Sequence, residues 1–257
     1  MNDSARSNDR LRSILVILAT VATIGFSALA ATGYLNGVTP AEISDRYPTV
    51  ITPAGYAFSI WNLIYVGLLA FSVYQAIPKH LERFGRVRTL YIASCVLNCA
   101  WIYFWHHGYI GGCVVLIIAL AILLTAITSM YKFAVSLTEA LIVKGTFGLY
   151  AGWVTVASIV NIAVYLRSIG STAAMSEVVG TLAVIIATAA AVAVTWRLAN
   201  YLYPVAVAWA LTAIAINQSG KTAIVIACAG GVIMCLLLAT SFVLSFPSTA
   251  RTESDNE

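Results

Sequence analysis

Trp153-Val-Thr-Val-Ala-Ser-Ile-Val-Asn161 sets an indole and a primary amide eight residues apart, with no charge between them, inside an apolar run over 145–166. At about 100° per residue, Tyr150, Trp153, Ala157 and Asn161 fall along one side of a helix. Two earlier apolar runs carry the same pairing, Trp61 with Asn62 and Asn98 with Trp101. An indole offers a large flat face and one N–H donor; an amide offers a donor and an acceptor. Together they suit an apolar, planar ligand held by a few hydrogen bonds. The same groups also serve as interhelical glue worth roughly 0.6–2 kcal/mol. The residue types alone leave both roles open.

Other chemistries lack their parts. No Asp, Glu, Lys, Arg or His sits in the middle of an apolar run, which argues against a proton-coupled pump, since such groups mark proton relays. The lysines lie in loops or at run ends, so a retinal Schiff base has no candidate. Paired carboxylates, a Ser/His/Asp set and a phosphate-cradling loop are missing, and the expectation is that the protein is not an enzyme. Cys95, Cys99, Cys113, Cys228 and Cys235 all lie inside apolar runs without metal-ligand spacing; they read as small apolar filler. His106 and His107 are the histidines a haem would use. At a run end they read as polar interfacial residues, and Trp105 beside them reads the same way.

The elements that must position these groups are membrane spans. The chain is 61% hydrophobic and 9% charged, with mean hydropathy +0.91, against about a quarter charged for a soluble domain. The expected fold is all-α, a polytopic transmembrane bundle of about eight spans. They fall at 13–35, 53–77, 89–105, 110–131, 145–166, 177–196, 201–218 and 222–246. The seventh is close to the lower end of the ~17–25 residues a span needs. The first is too long in its apolar core for the ~7–15 residues of a signal peptide. Residues 1–12 form a polar terminus, 36–52 a polar loop, 132–144 a mixed segment on the membrane surface, and 247–257 a disordered polar tail.

Eight spans put both termini on one side. Eleven of the 14 Lys and Arg residues then fall on that side and three (Arg46, Arg167 and Lys221) on the other. Positive charge collects on the cytoplasmic face, so both termini are expected in the cytoplasm, with a plasma (inner) membrane location. The net charge of +4 follows this topology and is no nucleic-acid footprint. Counted at 1.5 Å per residue, Trp61 and Asn98 lie roughly 12 Å from the opposite end and Trp101 roughly 8 Å, with Trp153 near the midplane. These levels predict a cavity in the outer half, with the 36–52 loop as a lid.

On these motifs the chain resembles the TspO/MBR family, the tryptophan-rich sensory or translocator proteins. Trp61-Asn-Leu-Ile-Tyr65 is similar to the family's W-x-x-L-Y in its second span, after Thr52-Pro53 in place of a proline pair. Leu97-Asn98-Cys-Ala-Trp101 is similar to L-N-x-x-W in the third. Tyr150, Trp153, Ala157 and Asn161 fall in register with the fifth-span motif. Leu149 and Val156 depart from it, and Gly55 departs from the second-span pattern, where the family has an aromatic residue. The resemblance covers 13–167 as a five-helix core, and 168–246 adds three helices, as in a longer, diverged branch.

The resemblance implies a pocket under the first loop that binds porphyrins and other apolar ligands. Its expected ligand-binding residues are Trp61, Tyr65, Asn98, Trp101, Tyr150, Trp153, Ala157 and Asn161. The leading functional expectation is a membrane binding or sensory protein holding a hydrophobic planar ligand, with a porphyrin or haem as the implied ligand. A transporter or facilitator of an amphipathic small molecule is the alternative. Porphyrin breakdown driven by the bound pigment is a weaker one. The expected partners are the lipid bilayer and a small hydrophobic ligand, without nucleic acid. Gly148-x-x-x-Gly152 lets helices approach closely, which reads first as a contact inside the fold and second as a homodimer seam.

Overall fold

In a bilayer every backbone N–H and C=O must find its partner within the protein, which an apolar chain achieves by coiling. The computed structural model describes residues 3–254, with side chains over 8–241, and among them it holds helices and turns but no strand. In order these are α1 (Asp3–Ala31), α2 (Pro40–Arg46), a 3₁₀ turn (Gly55–Ser59), α3 (Ile60–Tyr74), α4 (Gly85–His106) and α5 (Ile110–Met130). A short turn α6 (Leu137–Glu139) and a π turn (Ala140–Gly145) lead into α7 (Thr146–Ser168). Then come α8 (Glu177–Leu198), α9 (Leu202–Asn217) and α10 (Thr222–Ser254).

Seven of these helical segments are long and apolar enough to cross a membrane. The protein is an integral, multi-pass helical bundle. The eighth apolar helix, α9, has 16 residues, or about 24 Å of rise, short of the ~30 Å hydrocarbon core. Helix α10 continues to Ser254, through the start of the stretch expected as a disordered tail. A nucleated helix gains one hydrogen bond per added residue and so propagates past its last apolar contact. Residues 255–257 of that stretch and 1–2 of the polar terminus lie outside the described residues.

Helices α1, α3, α7, α5 and α4 form a closed ring in that order, each packed on the next. Helix α9 packs on α7 from outside the ring, α10 on α9, and α8 on both. The segment containing α7 is the axle. Within its most apolar window 61% of residues are buried, against 28–44% in the other spans.

Two glycines explain how α9 comes so near. A Cβ on Gly148 would collide with the Asn200 amide, and one on Gly152 with the Tyr203 carbonyl. The Gly-x-x-x-Gly stretch is therefore a seam inside the fold. Asn200 bridges it. Its Nδ2 donates to Lys144 O at 2.7 Å, and its Oδ1 accepts from Leu202 N and Tyr203 N at 3.1 and 3.2 Å. One side chain thus satisfies both the first amides of α9 and a carbonyl of the π turn. Gly148→Val overpacks this seam and is expected to cost about 1–3 kcal/mol, read as a lowered unfolding temperature in detergent.

The 132–144 segment departs from its sequence reading. From Leu137 onward it joins the α7 helix and turns one face inward, with Glu139 fully buried and Lys144 nearly so. Ala140 and Val143 pack into the core, and each of the two charged groups has a polar partner. Glu139 is paired with Arg83, whose Nε donates to Oε2 at 2.6 Å, and Lys144 Nζ donates to Lys132 O at 2.9 Å. A charge so partnered can follow its apolar neighbours inward.

Candidate ligand-binding site

The loop before α3 builds the roof. Thr39 and Glu42 form a reciprocal cap: Thr39 Oγ1 accepts from Glu42 N at 3.3 Å, while Glu42 Oε2 accepts from Thr39 N at 2.7 Å. With Pro40 in the first turn, this converts part of the expected polar loop into helix α2. The Thr39 N–H and hydroxyl together hold the Glu42 carboxyl below its ordinary range. A carboxyl depressed in the folded state stabilises above its unfolded pKa, and that contribution disappears as pH falls through the folded value. Protection of the amides over residues 40–46, taken relative to their intrinsic exchange rates at each pH, is therefore expected to be high at pH 7 and to fall below about pH 4.

Under α2 the aromatic residues of α3 and α4 stack. Tyr65, Trp61, Trp101 and Trp105 follow one another with centroid separations of 5.4, 6.4 and 5.6 Å and interplanar angles of 22°, 29° and 21°. From α7, Tyr150 and Trp153 present edge-on to Trp61 at 5.6 and 6.4 Å. Two indoles are anchored: Trp101 Nε1 donates to Asn161 Oδ1, and Trp105 Nε1 to Pro40 O, both at 3.1 Å. Asn161 Nδ2 in turn donates to Ala157 O at 2.8 Å.

Two hollows flank this stack. The inner one, of about 30 Å³, is walled by Trp61, Trp101, Trp105, Trp153, Ala157 and Asn161, with Phe58, Pro53 and Ser44 toward the roof and Ala210 and Ile214 of α9 behind. It has room for a water molecule. The outer one is a groove of about 500 Å³ between α1 and α3, bounded by Ser27, Ala28, Trp61, Tyr65 and Trp101 and by Pro40 of α2. That volume is within the ~300–1,000 Å³ typical of small-molecule sites.

Every expected site residue belongs to this neighbourhood, with different roles. Trp61, Trp101, Trp153, Ala157 and Asn161 line the inner hollow, and Trp61, Tyr65 and Trp101 the groove. Asn98 and Tyr150 line neither and are buried beside it. Tyr65 OH donates to Ser27 Oγ at 2.6 Å and lies next to the Asn98 amide. Both polar atoms of Asn98, the Tyr150 hydroxyl and Trp153 Nε1 are buried without a hydrogen-bond partner. Such atoms each cost about 1–3 kcal/mol until something pairs with them.

Trp105 and His106 are corrected from interfacial to interior, at 2% and 6% exposure. The roof covers that end of α4: Asn36 Nδ2 donates to His106 O at 3.0 Å, and Pro40 receives the Trp105 N–H. His107 is exposed, as expected. Neither histidine lines either hollow, so the site offers a haem iron no axial nitrogen. The groups present suit a metal-free planar ring. Phe58, Ala210 and Ile214 carried no sequence signal, being apolar residues in apolar runs.

Residues 13–242 match the family model described as TSPO-like protein. The chain belongs to that family. The matched stretch runs from α1 into α10, so the helices beyond the ring lie inside it. Comparison with curated proteins gives no match, and comparison with solved structures gives none. The family supports a membrane binding, sensory or transport role.

Proposed function

We propose that this TSPO-like protein is a non-enzymatic membrane receptor that holds a flat, hydrophobic molecule against the indoles of α3, α4 and α7. One observation carries the reading: aromatic residues from three helices converge under α2 around the buried, unpartnered N–H of Trp153. A stack of flat faces with one waiting donor suits a planar ligand bearing an acceptor. A tetrapyrrole exceeds the 30 Å³ hollow, so its ring would occupy the groove and meet Trp61. Titration of purified protein with protoporphyrin IX is the test, with saturable quenching of tryptophan emission as the expected result. Emission unchanged across the series would overturn the reading.

A facilitator of an amphipathic solute is the second reading, favoured by the groove's position along the flank of two spans. Solute flux in proteoliposomes separates it from a receptor, which binds without net movement. The bilayer and the ligand are the proposed partners. The eleven-to-three distribution of basic residues supports a plasma-membrane protein with cytoplasmic termini. A C-terminal reporter that is active only in the cytoplasm checks this.

A further inference from the structure

Trp61 belongs to both hollows, forming a wall of the groove and a wall of the inner chamber. It is the second residue of α3, directly after the 3₁₀ turn Gly55–Ser59, and it is only half-buried. Unlike Trp101 and Trp105, its indole N–H has no hydrogen-bond partner among the described residues. Ring and other apolar contacts hold it in place. On one side, the groove is edged by the exposed residues Ala28 and Val66 on the outward faces of two spans. The other side holds the unpartnered Tyr150 hydroxyl and Trp153 N–H, with the Asn98 amide beyond Tyr65. A polar interior thus lies one indole away from the hydrocarbon.

We infer that Trp61 is a gate, through which a flat molecule dissolved in the bilayer passes from the α1–α3 groove to the unpartnered donors of α7. This rests on the binding reading above and adds the route and the ligand's chemistry. The ligand is a planar, mostly apolar body carrying a carbonyl-type acceptor. The apolar body suits access from lipid and stacking on Trp61, and the acceptor suits Trp153 Nε1 and the Tyr150 hydroxyl. With the gate closed, the 30 Å³ chamber admits nothing larger than water. Swinging Trp61 aside joins it to the groove.

The experiment uses the full chain in phosphatidylcholine vesicles preloaded with anthraquinone or anthracene, flat bodies of similar size with and without carbonyls. Loading is followed by quenching of tryptophan emission. Anthraquinone is expected to bind at least tenfold more tightly, because it satisfies buried donors that anthracene leaves unpaired. Trp61→Ala is expected to speed loading at least tenfold. Ala28→Phe, at an exposed position that tolerates bulk, is expected to slow it by a similar factor while leaving the unfolding temperature unchanged. Wild-type binding with both variants loading at the wild-type rate would overturn the gate and leave the binding reading standing. A fast Trp61→Ala with an unaffected Ala28→Phe would overturn the membrane route. Equal affinities for the two probes would overturn the acceptor chemistry. Failure of both probes and of protoporphyrin IX would remove the binding reading itself.

Discussion

Trp153→Leu is expected to lower affinity for a planar ligand at least a hundredfold while leaving the protein folded. The two halves of this expectation have separate causes. Stability falls less than in a variant that breaks an anchored indole, because one gain offsets part of the lost packing. The variant loses edge contacts with Phe58 and Trp61, worth about 0.5–1.5 kcal/mol each. It also deletes a buried N–H that has no partner, which removes a cost of about 1–3 kcal/mol. Binding falls because a wall of the hollow and its free donor disappear together. Trp101→Leu provides the contrast. It breaks the stack on both sides and leaves Asn161 Oδ1 without its donor, so a loss of about 3–5 kcal/mol is expected. Thermal unfolding and a titration of both variants with anthraquinone, the smaller carbonyl-bearing ring, distinguish the two tryptophans. Equal loss of stability in both would mean that Trp153 only packs.

The same pair shows what the sequence made legible. Tyr150, Trp153, Ala157 and Asn161 could be placed on one face because helical periodicity is local. That Trp101 would bond Asn161, 60 positions away, is a tertiary fact. The amide glue read as one of two options is realised at Asn161, whereas Asn98, of identical chemistry, stays unpaired. Nothing in the two motifs distinguishes them. Trp105 was misjudged because closeness to a span end normally means closeness to headgroups. Here α2 covers that end, and a seven-residue helix between two spans leaves only a faint capping signal, Thr39 with Glu42.

Helix α9 was the least legible element and has the widest reach. At one end Asn200 ties it to the π turn before α7. At the other it holds the connector leading into α3: Asn217 Nδ2 donates to Thr52 O at 3.1 Å, Gln218 Nε2 to Thr49 O and Thr52 O, and Trp209 Nε1 to Ala57 O at 3.0 Å. Between these ties Ala210 and Ile214 close the inner hollow. A helix of only 16 residues thus braces the roof against the axle. Burial among protein on nearly all sides releases it from the length that lipid would impose.

A second large loss of stability is expected at the opposite end of the bundle, at Arg83. Glu139 is fully buried, and the Arg83 guanidinium holds both of its carboxylate oxygens. Arg83→Met removes the cation and leaves the carboxylate buried and unpaired, a change that costs about 3–5 kcal/mol in enclosed pairs. The Arg83 side chain is 36% exposed, so water reaches the pair and the expected loss is nearer 2–3 kcal/mol. Glu139→Gln, by contrast, leaves behind an arginine that solvent can reach, and is expected to cost less. The double variant Arg83→Met/Glu139→Gln should recover most of the stability lost in Arg83→Met, because the buried charge is gone as well. Unfolding temperatures of the three variants in detergent measure the coupling. If the losses of the single variants simply add in the double one, the pair is a contact of convenience, and the inward turn of the α6 segment rests on Ala140 and Val143 alone.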